Sequence, residues 1–275
     1  MTNVQRHYLT NEELMRVQRT ELELLIEFDR ICRKHGIIYS LDGGTLLGAV
    51  RHGGFIPWDD DADVIMNRIE YEKLIKILDK ELDIEKFYFQ DINRTPGYRW
   101  GYAKLRRKGS KFIRTNQYHL PYEQGIFLDI FVCDNVPEFY PARVIVNFHS
   151  FLYRKKFYSV VGVKNSTGLA RLIYKLLAKI PEEKLKKDYN KYVCHRNKKD
   201  SRYSKCLTFP ACNRFFGYKK EWYSDVEERV FENHSFLACK KYDEYLSFLY
   251  GDYMKLPDIE NRKAHPVIEV QFVED

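Results

Sequence analysis

Residues 39–66 read YSLDGGTLLGAVRHGGFIPWDDDADVIM, and this stretch decides the fold. It opens on an apolar run, Ile37 to Leu41, that reads as a buried strand. The pair Gly43-Gly44 follows, then a short helix-like segment, Thr45 to Val50. A second glycine pair, Gly53-Gly54, leads through Pro57-Trp58 to Asp59, Asp60, Asp61 and Asp63, and Val64-Ile65-Met66 reads as another strand. Residues two apart on a strand share a face, so Asp61 and Asp63 project together, and Asp59 joins them if the extended backbone reaches back that far. Converging carboxylates repel one another unless a cation lies between them, and hard oxygen ligands suit magnesium or manganese. A solvated turn would account for Asp60. It would not account for two glycine pairs, a tryptophan and an acidic strand start in one stretch.

The surrounding chain fits an α/β layer arrangement. Thr10-Asn11-Glu12-Glu13 has the pattern of a capping box. The helix behind it carries Leu14, Val17, Leu22, Leu25, Phe28 and Cys32 at near-helical spacing and should end at Lys34-His35-Gly36. Arg68 to Leu78 is helical in pattern; Phe87 to Phe89 and Tyr98 to Arg107 read as strands. Gly125 to Val132, GIFLDIFV, is an apolar strand with one charge, Asp129. A buried carboxylate needs a partner, so Asp129 is either held by an N-cap or an arginine, or it is a third carboxylate beside Asp61 and Asp63.

Apolar content of 44% over 275 residues supports one domain or one domain with an appendage. No run has the length of a transmembrane helix, and the first residues show no apolar signal-peptide core. The six cysteines form no CxxC pair, which points to reduced thiols and a cytoplasmic location. Cys194, His195, Cys206 and Cys212 have no spacing typical of a zinc site.

The net charge of +7 is unevenly spread: between Pro141 and Cys206 there are seventeen Lys and Arg against four Asp and Glu. Val144 to Tyr158 and Gly168 to Ile180 read as basic, aromatic amphipathic helices. They are either ordinary surface helices with a solvated face or helices lying on an anionic membrane. The expected organisation is a catalytic core at residues 1–138, a basic helical region at 139–205 and a C-terminal segment at 206–275.

A strand with paired carboxylates beside a Gly-Gly loop suits a metal-dependent reaction at phosphate. Arg51, His52 and Lys104 are near enough in sequence or topology to add cationic contacts to a diphosphate. Gly43-Gly44 followed by Asp61-Ala62-Asp63 resembles the signature of the nucleotidyltransferase fold, and the fuller string DGGTLLGAVRHGGFIPWDDDADVIM resembles the LicD family. The leading helix, Gly101 to Arg106, GIFLDIF and the terminal YGDYMKLP share the likeness, which is weakest between about residues 140 and 200. Cys133, where a Pro is expected before Asp134, and Ala238-Cys239 depart from the pattern away from the carboxylates.

The resemblance implies an α+β, nucleotidyltransferase-like mixed sheet with flanking helices and a mainly helical appendage. It also implies transfer of phosphocholine from CDP-choline to a sugar hydroxyl of a teichoic acid or lipopolysaccharide precursor, with CMP released. On that likeness Asp61, Asp63, Asp129 and Asp59 would hold Mg2+ or Mn2+, and Asp61, Asp63 and Asp129 would be the catalytic set. Gly43, Gly44 and Thr45 would shape the diphosphate loop. A lipid-linked acceptor would make the basic helices useful as a dock at the inner face of the membrane. The alternatives are the same fold with CDP-ribitol, CDP-glycerol or another nucleotide donor, or a silent glycan-biosynthesis scaffold. A nucleic-acid binder ranks last, because no nucleic-acid module is recognisable.

Overall fold

Helix α1 (Asn11–Lys34) starts as its sequence predicts: the Thr10 hydroxyl accepts from the Glu13 N–H, and the Glu13 carboxylate accepts from the Thr10 N–H. In this computed structural model, which describes residues 7–115, 117–210 and 215–274, α1 ends at His35 with Gly36 in the left-handed region. The apolar run behind it supplies only a two-residue strand, β1 (Ser40–Leu41). Helix α2 (Gly43–Arg51) begins at the first glycine rather than at Thr45. Then follow β2 (Ala62–Asn67), α3 (Arg68–Glu81), β3 (Phe87–Gln90), β4 (Ala103–Arg107), β5 (Lys111–Arg114) and β6 (Phe127–Val136).

The second half contains α4 (Tyr140–Asn165), α5 (Gly168–Ala178) and α6 (Glu182–Arg196), then β7 (Tyr203–Lys205), β8 (Tyr218–Lys219) and the short α7 (Glu221–Ser224). The chain closes with β9 (Val226–Phe231), β10 (His234–Cys239), α8 (Tyr242–Tyr250) and β11 (Val267–Gln271). Cys212 lies outside the described residues; Cys194 is exposed and Cys206 is buried.

The main sheet runs β3-β4-β6-β2-β1-β10-β9, with β7 and β8 branching from the far end of β6. Strands β2 and β6 are parallel, as are β1 and β10; β4–β6 and β1–β2 are antiparallel. The fold is therefore α+β with a mixed sheet. β9 and β10 join this sheet directly, so the C-terminal segment contributes to the sheet that carries β1 and β2. α1 packs on β2, β4 and β6 with Val17, Leu24, Leu25 and Phe28 inward. Burying side chains of this size contributes roughly 1.5–3 kcal/mol each.

The helical appendage has its own apolar cluster, including Val146, Phe157, Leu185, Tyr189 and Val193. It is fastened to the sheet by a buried polar knot. Arg68 donates from Nε and Nη2 to the two Asp134 oxygens at 2.7 and 3.0 Å, and Asn197 donates to the same carboxylate at 2.7 Å. No helix among the described residues is long and apolar enough to cross a membrane.

Candidate active site

Strand register builds the site. Asp63 of β2 lies directly beside Asp129 of β6, and Asp129 lies beside Lys104 of β4. Paired residues of neighbouring strands share a face, so Lys104, Asp129 and Asp63 form one row across three strands, and Asp61 precedes Asp63 on the same face. The row is anchored to α2. The Asp42 N–H donates to the Asp63 carbonyl at 3.0 Å, and the Asp63 N–H donates to the buried Thr45 hydroxyl at 2.8 Å.

These two bonds bring the first turn of α2 against the carboxylates. Gly43 is left-handed, at φ +51°, and a Cβ there would lie 3.4 Å from Asp63 Oδ2. A Cβ on Gly44 would collide with the Asp59 carboxylate. Only glycine allows so close an approach. Asp59 is itself held by α1, where Gln18 donates to its carbonyl at 2.9 Å. The N-terminal end of a helix carries free N–H groups and favours anions, so the turn suits carboxylates and phosphate alike.

The carboxylates crowd one another. Burial, then the negative charge of Asp61, Asp129, Asp42 and Asp59, pushes the Asp63 carboxyl well above its usual range. Burial, then Asp61 and Asp60, pushes Asp59 up to about 8, and Asp59 and Asp61 share a hydrogen bond. Asp42 is raised to about 6 by burial, against the Tyr245 hydroxyl that donates to it at 2.5 Å. Glu21 on α1 is also raised, first by burial and then by Asp61, Asp60 and Asp59. Carboxylates that must share protons to coexist are a donor set that a divalent cation would relieve. Asp59 and Asp63 fit a hard metal ion by this test, and Asp61 joins them through its hydrogen bond to Asp59.

Asp129 differs because it is already paired. Lys104 donates to Asp129 Oδ1 in a buried ion pair, with its ammonium over the Phe127 ring at 3.4 Å from the centroid. Burial raises Asp129 and Lys104 opposes that rise; burial lowers Lys104 to about 8, against the pull of Asp129. Asp60 faces away from the glycine turn toward Arg114 and His265. Arg114 lies 3.2 Å from Asp60 Oδ2 and 3.3 Å from Asp61 Oδ2, and His265 Nδ1 is 2.8 Å from Asp60 Oδ1. Donor atoms of Asp60, Asp61 and His265 all lie within 4.8 Å of one another. There the Arg114 guanidinium already supplies the countercharge, so this group is an ion-pair knot that steadies Asp61.

Two cavities meet at Asp61. One of about 380 Å³ is bounded by Gly43, Gly44, Asp59 and Asp63, with Phe131, Phe209, Tyr218 and Tyr250 on its wall. The other, about 360 Å³, is lined by Lys104, Arg106, Arg114, Asp129, Trp100, Gln117 and Gln124 among others. Tyr102 stands 5.0 Å from Phe131 and 6.2 Å from Phe209 between ring centroids, part of the partition between them.

The structure brings Asp59, Asp61, Asp63, Asp129, Gly43, Gly44, Thr45 and Lys104 together. It does not bring Arg51 and His52 to them. Both sit at the opposite end of α2, where Arg51 donates to the Tyr253 carbonyl at 2.7 Å and His52 meets the edge of Trp58. Their nearness in sequence to the glycines is undone by the helix, which rises 1.5 Å per residue. Sequence reasoning missed Asp42, Arg114, His265 and Glu21. The string LDGG offered a signal for Asp42; the other three come from separate elements with no local pattern.

Comparisons with known proteins identify the family. A family model described as "LicD/FKTN/FKRP, nucleotidyltransferase domain" matches residues 36–159, which span the glycine turn, the aspartates and β6. The chain is 30% identical to "Lipopolysaccharide cholinephosphotransferase LicD" of Haemophilus influenzae over 262 residues, 92% of this chain and 95% of that protein. A short stretch is 62% identical over 29 residues to "Ribitol 5-phosphate transferase FKRP" of Homo sapiens, 10% of this chain and 6% of that protein. By its likeness over nearly its whole length, the chain belongs to the LicD family.

Proposed function

We propose that the protein transfers phosphocholine from CDP-choline to a sugar hydroxyl of a cell-surface glycan precursor, with CMP as the leaving group. The observation that carries this reading is the carboxylate row facing the first turn of α2, with an aromatic-walled cavity on one side of Asp61 and a basic one on the other. The likeness to a lipopolysaccharide cholinephosphotransferase gives the substrate class.

In this reading the donor diphosphate lies over Gly43 and Gly44, where backbone N–H groups donate to its oxygens. Asp59, Asp61 and Asp63 would hold Mg2+ or Mn2+, which neutralises phosphate charge when bound. Phe131, Phe209, Tyr218 and Tyr250 offer ring faces suited to a quaternary ammonium. The second cavity takes the acceptor: Trp100 gives a sugar ring a flat apolar surface, and Gln117 and Gln124 give it amide partners. Asp129 takes the proton of the attacking hydroxyl as the new O–P bond forms and the P–O bond to CMP breaks. Lys104 holds that carboxylate in place and carries the balancing charge. Catalysis is then mostly positioning and electrostatics, as expected for transfer at phosphorus.

The short likeness to a ribitol 5-phosphate transferase favours a second donor, CDP-ribitol, on the same machinery. Measuring CMP release from CDP-choline, CDP-ribitol, CDP-glycerol and CTP, with and without Mg2+ or Mn2+ and with a glycan extract as acceptor, separates the two. Metal-dependent release from CDP-choline, lost in Asp61→Asn/Asp63→Asn, is the expected result. Release from CDP-ribitol alone would overturn the choline assignment, and no release from any donor would overturn the enzyme reading.

A further inference from the structure

Helices α4 and α5 are apolar on the side that faces solvent. On α4 the inward stripe is Val146, Phe157 and Val161, and a second stripe points out: Val144, Ile145, Phe148, Phe151 and Leu152. α5 has its apolar stripe at Leu169, Leu172, Ile173 and Leu176, the i, i+3, i+4, i+7 pattern of a packed helix. Yet its only buried residue is Tyr174, and Leu169 and Leu176 are 74% and 58% exposed. An amphipathic helix normally turns that stripe to the core.

The two helices form one hairpin. Tyr174 packs on Gly162 and Tyr158 of α4, and the Lys155 ammonium, which donates to the Tyr174 hydroxyl at 3.1 Å, lies 5.3 Å from the Phe151 ring centroid. Charge on the hairpin has a single sign. From residue 140 to 181 there are eight Lys and Arg and no Asp or Glu. Of these, Arg143 is buried, and Lys164, Arg171, Lys175 and Lys179 are exposed beside the outward stripes.

We infer that this hairpin docks on an anionic lipid bilayer, lying in the interface with its outward stripes among the acyl chains and its cations among the headgroups. Charge complementarity selects this occupant. A second copy seated on the same face would set Lys164, Arg171, Lys175 and Lys179 against their like, whereas an anionic surface attracts each of them. The helices are interfacial and not spanning, since neither is long and apolar enough to cross. The docking also has a geometric consequence. Arg99 donates to Ser159 of α4 at 3.3 Å, and its neighbour Trp100 lines the basic cavity. Ser159 is on the buried side of α4, so the cavity assigned to the acceptor lies one helix away from a bilayer under the outward stripes.

The test is vesicle flotation of the full chain with phosphatidylglycerol–phosphatidylcholine vesicles and with phosphatidylcholine alone. The expected result is flotation with the anionic vesicles only, weakened by added salt. Arg171→Gln/Lys175→Gln should weaken partition roughly thirtyfold, at about fivefold per cation. Ile173→Ser/Leu176→Ser should reduce it to background, with the thermal melt of both variants unchanged. No flotation with anionic vesicles, or binding that ignores lipid charge and salt, would overturn the inference. So would a concentration-dependent dimer that Leu172→Asp dissociates. Flotation needs no donor, so its failure leaves the transfer reaction standing, and a failed donor panel leaves the docking standing.

Discussion

Replacing Asp59 with Asn should make the metal-free protein more stable at mildly alkaline pH and less responsive to metal. Asp59 is raised from its ordinary 3.8 to about 8 by burial and by its carboxylate neighbours, so the folded state holds this proton more tightly than the unfolded chain does. Stability from this group is fully present below 3.8 and is lost as pH rises toward about 8. Between roughly pH 6 and pH 8 the loss is about 2 kcal/mol, at 1.36 kcal/mol per unit and flattening at the upper end. For a chain of this size that corresponds to a fall in Tm of about 6 °C. A divalent ion takes the place of the proton, so Mg2+ or Mn2+ should raise Tm more near pH 8 than near pH 6 in the native protein. In Asp59→Asn the metal-free melt should lose most of this pH dependence, and the metal-induced rise should shrink. The assay is a set of thermal melts at the two pH values, with metal and with chelator. A metal-induced rise that is equal at both pH values and unchanged by Asp59→Asn would refute the assignment of Asp59 to a metal-binding group.

Lys104→Met leaves Asp129 charged and unpaired in the sheet interior, which should cost about 3–5 kcal/mol in denaturant melts; Lys104→Met/Asp129→Leu should recover much of it while remaining inactive. Gly44→Ala puts a methyl group into the Asp59 carboxylate, so metal affinity and CMP release should fall by at least about tenfold for each 1.4 kcal/mol of displacement, with circular dichroism unchanged. Tyr245→Phe removes the hydroxyl that donates to buried Asp42 and should cost about 1–3 kcal/mol in chemical denaturation, more at pH 8 than at pH 5, since Asp42 at about 6 is charged at the higher value.

The parts of the site that were legible in the sequence are those that local chemistry fixes. A glycine pair beside a DxD requires a tight turn facing two carboxylates, and α2 and β2 meet in this way because Asp63 is bonded through both of its backbone groups to the α2 turn. The Thr10 capping box and the apolar spacing of α1 were legible for the same reason. β1 is shorter than its apolar run, because the buried Ile37 donates its N–H back to the Cys32 carbonyl at the end of α1 instead of joining the ladder. β4 begins at Ala103, five residues later than its pattern suggested, because Tyr98 to Tyr102 turn into the cavity wall and the buried Tyr98 hydroxyl bonds the Tyr102 carbonyl. β9 and β10 have no clear strand pattern in the sequence. Their alternation is masked by charged residues such as Glu227, Glu228 and Arg229, which are tolerated at the sheet edge. Arg114 and His265 reach Asp60 from distant strands and loops, a relation that only the tertiary fold creates.

The row Lys104–Asp129–Asp63 also explains how a sheet interior tolerates so many carboxylates before any ion binds. A run of three or four like charges would cost the fold several kcal/mol, and the chain answers it from two sides. Lys104 neutralises Asp129 from within the sheet, and Arg114 steadies Asp60 and Asp61 from the small β5–β11 sheet. Neither cation contacts Asp59 or Asp63, and these are the two aspartates raised furthest by burial and by their neighbours. The unpaired pair therefore marks where a further positive charge is wanted, directly over the glycine turn. A metal bound there would complete a charge balance that Lys104 and Arg114 leave unfinished on that side.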